Sequence, residues 1–234
     1  MSEKKYKQNS SSGGALIATI IVAVAAVAAI IALVVIMIRD NTETLPNGSQ
    51  IERFSATQEQ IEECLTNAHD LVASNYEVIK LYITEGLPHL DEPYGNKPED
   101  GIYTVDSDKY KTPEDMQNLL KSIYTEQAAD EIWARGVFKT RYMKEGLAYT
   151  GADSDAAGVE KILGISEDFV PKTDYSVDWS SSPLEVKPTA EDKCTVLIYV
   201  NGSSPSDSEV SADNILSVVM VKENGLWRLT ELVS

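Results

Sequence analysis

The sequence predicts an α+β protein in which an N-terminal membrane-spanning helix precedes helices packed on a curved antiparallel sheet. Three features of the 234-residue chain support this prediction. An uninterrupted apolar run lies near the N-terminus, apolar residues then recur at helical spacing, and the C-terminal half contains short apolar segments separated by glycine turns. Helices followed by consecutive antiparallel strands are typical of the α+β class.

The apolar run covers 24 residues from Ala15 to Ile38, and Thr19 is its only polar side chain. At about 1.5 Å per residue, a helix of this length spans roughly 36 Å, which exceeds the roughly 30 Å hydrocarbon core of a bilayer. A cleaved signal peptide, with its cleavage site at Ala23–Ala25, is the alternative. The run continues well beyond the length of such a peptide, so we predict a transmembrane helix at 15–38.

The charges on either side of this helix predict its orientation. The tail of residues 1–14 has a net charge of +2, from three lysines and one glutamate, and the whole chain has −17, which leaves −19 for the remainder. Lysines and arginines that flank a transmembrane helix are enriched on its cytoplasmic side. We therefore predict a single-pass cell-membrane protein with a cytoplasmic N-terminus and an extracellular C-terminal domain. Its acidity disfavours nucleic acid and anionic lipid as ligands but leaves basic proteins and cations as partners.

Residues 39–55 contain Pro, Gly, Asn and Ser without an apolar period, and they predict a linker to a domain at 56–234. Thr57 and Gln60 have the spacing of a capping box and predict the start of a helix. Five apolar residues follow at helical spacing: Ile61, Leu65, Ala68, Leu71 and Val72. The run 76–83 extends this helix or forms a second one, and the Gly86-Leu87-Pro88 sequence ends it.

The stretch TPEDMQNLLKSIYTEQAADEIW, residues 112–133, predicts two helices rather than one. Thr112 caps the first helix, and Pro113 occupies its first position. Thr125, followed by Glu126, caps the second. The predicted buried residues are Met116, Leu119, Leu120 and Ile123 in the first helix, and Ala129, Ile132 and Trp133 in the second. We interpret the corner between them as part of the scaffold.

The rest of the chain predicts strands, with one helical segment among them. A strand is expected at 101–105, and the glycine turns at 144–146 and 223–225 predict hairpins. The segment 155–165, DAAGVEKILGI, has helical spacing. The CTVLIYV segment, 194–200, is apolar on both faces and predicts a central strand. The expected strands are 138–143, 147–150, 174–179, 184–188, 193–201, 214–222 and 226–233.

Motifs that would indicate an enzyme or a metal site are absent from the sequence. The chain contains two histidines and has no HExxH, GxSxG, P-loop or CxxC pattern. The segment 153–158, DSDAAG, resembles the start of a calcium loop, but Ala157 stands where the loop needs an oxygen ligand. We therefore predict no enzymatic activity and no metal or other cofactor.

Two groups of residues are candidates for a site. Cys64 and Cys194 are the only thiols, and in an exported domain they form either one disulfide or two buried free thiols. The DYSVDW segment places acidic and aromatic side chains on opposite faces of a strand. It therefore supplies the candidate binding residues Asp174, Tyr175, Asp178 and Trp179.

Several of these segments, taken in order, resemble the IseA-type domain, a family named for an inhibitor of peptidoglycan DL-endopeptidases. The resemblance rests on GIYTV before the TPED helix, on SIYT, on YSVDWS and on the closing NGLWRL hairpin, and it covers roughly 56–234. It implies a Gram-positive cell-envelope protein that binds a wall hydrolase or wall material. The chain departs from the family at 150–172, where a helical segment is expected, and in carrying a membrane helix. Membrane-anchored NTF2-like domains share the same outline.

Three hypotheses follow. The first is a tethered binding module that restrains a cell-wall DL-endopeptidase or binds wall material, and whose acidic surface suits a basic partner. The second is an NTF2-like assembly or structural subunit of a membrane complex. The third is an enzyme, which the absent motifs disfavour. The sequence leaves the oligomeric state open.

Overall fold

The structure is a computed structural model that describes residues 42–52, 54–91, 98–149, 156–175, 182–207 and 210–234. The predicted cytoplasmic tail, 1–14, and transmembrane helix, 15–38, lie outside these ranges. Among the described residues, no helix has the length and apolar character needed to cross a membrane. The anchor and its orientation therefore stay predictions.

The chain divides into two compact units, and the described part of the first is a short hairpin. Its strands, β1 (Thr42–Thr44) and β2 (Gln50–Glu52), pair antiparallel within the stretch predicted as a linker. The Leu45 N–H donates to the Ser49 carbonyl at 2.7 Å and closes the turn. The second unit holds Phe54–Ser234 together with Pro46–Gly48, and it contains every other helix and strand described below.

The second unit begins with α1 (Gln58–Ile79), and the predicted capping box is confirmed. The Thr57 Oγ1 accepts from the Gln60 N–H at 3.2 Å, and the Gln60 side chain accepts from the Thr57 N–H at 2.8 Å. A π-helical turn, Lys80–Thr84, continues the same rod, so the apolar run at 76–83 is its last turns. The rod ends at Gly86, whose φ of 73° is in the left-handed region that glycine adopts readily.

The predicted corner between two helices is confirmed. Helix α2 (Pro113–Ile123) ends at Tyr124, whose backbone is extended, and α3 (Glu126–Trp133) begins immediately after Thr125. The Thr125 hydroxyl accepts from the Ala128 N–H at 3.3 Å, and the Thr125 N–H donates to the Leu229 carbonyl at 2.9 Å. The corner is thus tied to a C-terminal strand, as expected of a scaffold element.

Replacing Thr125 with alanine is expected to lower the free energy of unfolding by about 1 kcal/mol, because the first turn of α3 loses its side-chain cap. Thr125→Ser keeps the oxygen and serves as the matched control. Urea unfolding of both variants and the wild type measures the difference. Equal losses in the two variants would show that the methyl group, and not the cap, stabilises the corner.

The described strands of the second unit form two four-stranded antiparallel sheets, and the helices pack on this curved half-barrel arrangement. The strands of the first sheet are β7 (Leu184–Ala190), β8 (Lys193–Tyr199), β9 (Ile215–Glu223) and β10 (Leu226–Leu229). Those of the second are β3 (Ile102–Thr104), β4 (Phe138–Lys144), β5 (Leu147–Ala148) and β6 (Val159–Ser166). The first sheet has the order β10-β9-β8-β7, and the second has the order β3-β6-β4-β5. The predicted α+β class is confirmed.

Two local predictions about the strands are also confirmed. Strand β8 is an inner strand, and its residues from Cys194 to Tyr199 are all buried. The hairpin between β9 and β10 turns at Asn224 and Gly225, with φ values of 52° and 79°. Positive φ at both turn residues matches the right-handed twist of the strands that they connect.

The predicted helical segment at 155–165 is wrong, because the chain there forms β6. Strand β6 is an inner strand that pairs with β3 on one side and β4 on the other. A short apolar run has similar spacing in a buried strand and in a helix, and the β-branched Val159, Ile162 and Ile165 favour the strand. Gly164 also weakens a helix. The departure from the IseA-type pattern at 150–172 therefore cannot be described as an added helix.

One buried ion pair lies in the second sheet. The Arg141 side chain, on β4, donates from Nε to Asp100 Oδ2 at 3.0 Å and from Nη1 to Thr104 Oγ1 at 2.8 Å. Arg141 is only 4% exposed. A buried guanidinium requires such partners, because its desolvation is otherwise costly. The pair therefore joins the segment before β3 to β4.

Candidate functional site

A cleft of about 480 Å³ lies in the second unit, and we call it the basic cleft. Residues from four parts of the chain meet there: the π-helical turn, the segment from the turn after α3 into β4, the end of β6 with the segment that follows it, and the last residue, Ser234. The lining residues are Tyr82, Ile83, Arg135, Gly136, Val137, Lys139, Ser166, Asp168, Phe169, Val170, Lys172 and Ser234.

Backbone hydrogen bonds hold the walls of the basic cleft together. The Lys172 N–H donates to the Ile83 carbonyl at 2.8 Å, which fixes the segment after β6 against the π-helical turn. The Ser166 N–H donates to the Val137 carbonyl at 2.9 Å and so fixes the end of β6 beside β4. The cleft is therefore built on regular elements rather than on one long loop.

The cleft is positively charged in an otherwise acidic protein. Arg135, Lys139 and Lys172 line it, and the acidic groups at its lining residues are the Asp168 side chain and, in the 234-residue chain, the α-carboxylate of Ser234. The whole chain has 37 acidic residues and 20 lysines and arginines, so this local excess of cations reverses the general balance. The Lys139 Nζ donates to the Ser166 hydroxyl at 3.1 Å and is thereby oriented. Such a surface attracts anions.

The Tyr82 side chain also lines the basic cleft, although it is only 4% exposed. Its ring packs edge-on against Phe138, with 5.0 Å between the ring centroids. Its hydroxyl is buried and has no hydrogen-bond partner among the described residues. Burial raises the pKa of Tyr82 well above its ordinary value, and the charge of Arg135 offsets only part of this rise. The phenol therefore stays protonated and is a neutral donor.

A smaller cleft of about 160 Å³ adjoins the basic cleft and has a different character. Ser166, at the end of β6, and Phe169, in the segment after it, line both clefts, so the two clefts share a wall. The small cleft contains Glu85 and Glu167, and the His89 ring stacks on Tyr103 with 4.5 Å between centroids. The two concavities thus present opposite charges on either side of Phe169.

Of the predicted binding residues, the structure describes Asp174 and Tyr175, and it brings neither of them into a cleft. Asp174 is exposed in a turn, and Tyr175 is half-buried and packs against the hydrophobic core. Asp178 and Trp179 lie outside the described residues, as does most of the strand predicted at 174–179. These four residues therefore stay a prediction, and neither Asp174 nor Tyr175 lines a cleft that the structure describes.

Sequence reasoning missed the basic cleft, although the sequence contains a signal for part of it. Residues 134–144, ARGVFKTRYMK, include four basic residues and no acidic one in a strongly acidic chain. Arg135 and Lys139 belong to this stretch. Lys172 is far from them in the sequence, and only the backbone pairing of the segment after β6 brings it to the same cleft.

Cys64 and Cys194 are both buried free thiols, and each contributes to the pKa shift of the other. One belongs to α1 and the other to β8, so the fold brings the predicted pair together. Burial raises the pKa of both thiols, which makes them poor nucleophiles. The disulfide itself stays a prediction.

The described residues contain no group of three or more histidine, cysteine, aspartate and glutamate side chains that could hold a metal ion. The aspartates of the calcium-loop-like segment, Asp153 and Asp155, lie outside the described residues. No protein-family model matches this chain, and the curated proteins contain no match either.

Proposed function

We propose that the chain is a membrane-anchored extracytoplasmic binding module that restrains a cell-wall DL-endopeptidase or binds wall material. The basic cleft is the observation that supports binding most directly. Its volume is within the range of about 300–1,000 Å³ that is common for small-ligand sites, and it combines cationic and apolar side chains. The resemblance to the IseA-type domain suggests the wall and its hydrolases as partners.

The distribution of charge suits two kinds of contact. The acidic chain, with a net charge of −17, is complementary to a basic partner protein. The basic cleft is instead complementary to a carboxylate, which wall peptides and acidic side chains both offer. Neither contact requires catalytic residues in this chain.

Adding residues 54–234 at micromolar concentration to a DL-endopeptidase that is digesting purified walls is expected to slow peptide release. A glycosidase that cuts the same walls is the control for coating of the substrate. Slowing of the endopeptidase alone supports restraint of the hydrolase, and slowing of both enzymes, with co-sedimentation of the domain and the walls, supports binding of wall material. Unchanged release by both enzymes, without co-sedimentation, would contradict the proposal.

The second candidate function is an NTF2-like assembly subunit of a membrane complex. Helices packed on a curved half-barrel sheet favour it, because NTF2-like domains share this outline. A pull-down of the full chain from detergent extracts separates the two functions. Recovery of a wall hydrolase supports the first, and recovery of other membrane proteins that depends on residues 15–38 supports the second.

A further inference from the structure

We propose that the basic cleft binds the free α-carboxylate of a short peptide, and that Arg135 is the residue that receives it. The proposal rests on the binding function proposed above and specifies the chemical group that is recognised. It is supported by three features of the cleft: its available cations, a buried hydroxyl without a partner, and an apolar wall beside the charges.

Two cations of the cleft are available to a ligand. Arg135 and Lys172 form no ion pair and no side-chain hydrogen bond with any described residue. They are also exposed and therefore accessible. A guanidinium presents two parallel donors that match the two oxygens of a carboxylate, so Arg135 is the better receptor of the two.

The Tyr82 hydroxyl is the second feature. A buried donor without a partner costs roughly 1–3 kcal/mol, and such groups are rare in native structures. Tyr82 lines the cleft, is 4% exposed, and lies close enough to Arg135 for that charge to affect its pKa. An anion held by Arg135 would lie in the cleft that Tyr82 also lines. The Tyr82 hydroxyl is buried, so a carboxylate oxygen would accept its hydrogen bond once a small local movement of the cleft wall exposes it.

The apolar wall distinguishes a peptide from a small inorganic anion. Ile83, Phe169 and Val170 line the cleft beside the cations, and Val170 is 78% exposed. An inorganic anion would leave this wall in contact with water. The side chain of a terminal alanine or a similar residue would cover it and add hydrophobic stabilisation. The volume of about 480 Å³ also exceeds what one small ion requires.

The full chain, purified in detergent, can be titrated by calorimetry and saturation-transfer NMR with N-acetyl-Ala-Ala, in its L,L and D,D forms, as the probe. The same peptides with amidated C-termini are the matched ligands. We expect one of the acids to bind, and its amide to bind roughly ten- to a hundredfold more weakly, since a hydrogen bond to a charged group is lost. Preference for the D,D acid identifies wall peptides as the source, and preference for the L,L acid identifies a protein C-terminus.

Substitutions in the cleft test whether the peptide binds there. Arg135→Gln is expected to weaken binding of the preferred acid at least tenfold, Arg135→Lys less, and Tyr82→Phe several-fold. Lys144→Gln is the control, because it removes a charge from β4 but does not line the cleft. Circular dichroism and thermal unfolding check that each variant folds. Equal affinity for acid and amide, no loss in Arg135→Gln, or competition by inorganic phosphate at equal concentration would overturn the proposal.

The two proposals fail separately. If the wild-type domain slows the endopeptidase while neither acid binds, carboxylate recognition is wrong and the proposed function stands. If an acid binds in an Arg135-dependent manner while wall digestion is unaffected and the domain does not co-sediment with walls, the cleft is a carboxylate site and the proposed wall function is wrong.

Discussion

The Asn75→Ala variant is expected to lose about 4 kcal/mol of unfolding free energy, because three buried hydrogen-bonding groups lose their partner together. Asn75 lies on α1 and is 1% exposed. Its Nδ2 donates to the Val233 carbonyl at 3.1 Å, and its Oδ1 accepts from the Val233 N–H at 3.2 Å. The same oxygen accepts from the Tyr124 hydroxyl at 2.8 Å. One amide thus joins the first helix, the helix corner and the end of the chain.

In the variant, the Tyr124 hydroxyl loses its acceptor, and it can neither ionise nor bond to water instead. It is 1% exposed, and burial raises its pKa well above the ordinary value of a tyrosine. In the variant it therefore stays a buried donor without its acceptor, beside an unpaired backbone amide and carbonyl. Single unsatisfied groups cost roughly 1–3 kcal/mol each, and the three costs overlap because the groups share one cavity.

Urea unfolding at neutral pH measures the loss, and Ser74→Ala is the matched control. Ser74 is the preceding residue on α1, and among the residues that the structure describes its hydroxyl donates only to the Asp70 carbonyl of the same helix. The control is expected to change the unfolding free energy by less than about 0.5 kcal/mol, as is usual for surface substitutions. A loss below about 1 kcal/mol in Asn75→Ala would contradict the assigned network. Since Ser234 follows Val233 and lines the basic cleft, we also expect weaker peptide binding in this variant.

Gly164→Ala is expected to lower the unfolding free energy by about 2–3 kcal/mol through overpacking. A Cβ at this position would lie 2.2 Å from Ile102 Cγ2, 3.2 Å from the Tyr103 carbonyl oxygen and 3.3 Å from Arg141 Cβ. Gly164 lies on the inner strand β6, between β3 and β4, so neither neighbour can move without disturbing the sheet. The methyl group would thus separate strands that are paired on both sides.

A double-mutant cycle with Ile102→Ala tests the cause directly. Removing the Ile102 side chain beyond Cβ removes the atom of closest approach, so Gly164→Ala should cost less in this background than in the wild type. Chemical denaturation of the four proteins gives the coupling energy. If Gly164→Ala costs the same in both backgrounds, its effect arises from the backbone and not from the contact with Ile102.

Local features explain why much of the secondary structure could be predicted. The cap at Thr57 and the break at Thr125 depend on side chains that bond to backbone groups three residues away. The hairpin turn at Asn224 and Gly225 depends on the backbone preferences of two adjacent residues. An interaction between residues at most four positions apart depends on one short stretch of sequence. The residues of that stretch are therefore sufficient to predict the local secondary structure.

The error at 155–165 and the missed cleft share a different cause. Strand β6 is stabilised by hydrogen bonds to β3 and β4, and both partners are distant in the sequence. Its own apolar spacing fits a helix as well as a buried strand. Likewise, the candidate residues Asp174 and Tyr175 were chosen from one segment, whereas the basic cleft draws on four separate parts of the chain.

The sequence by itself therefore determined the helix starts, the corner at Thr125, the glycine turns, the central position of β8 and the α+β class. It did so because short-range hydrogen bonds, backbone preferences and apolar periodicity are local properties. Only the tertiary structure decided that β6 is a strand, that Cys64 lies beside Cys194, and that Lys172 joins Arg135 and Lys139 in one cleft. Each of these features depends on which distant segments pack together. That packing is decided by the apolar surface buried and the strand hydrogen bonds formed across the whole domain.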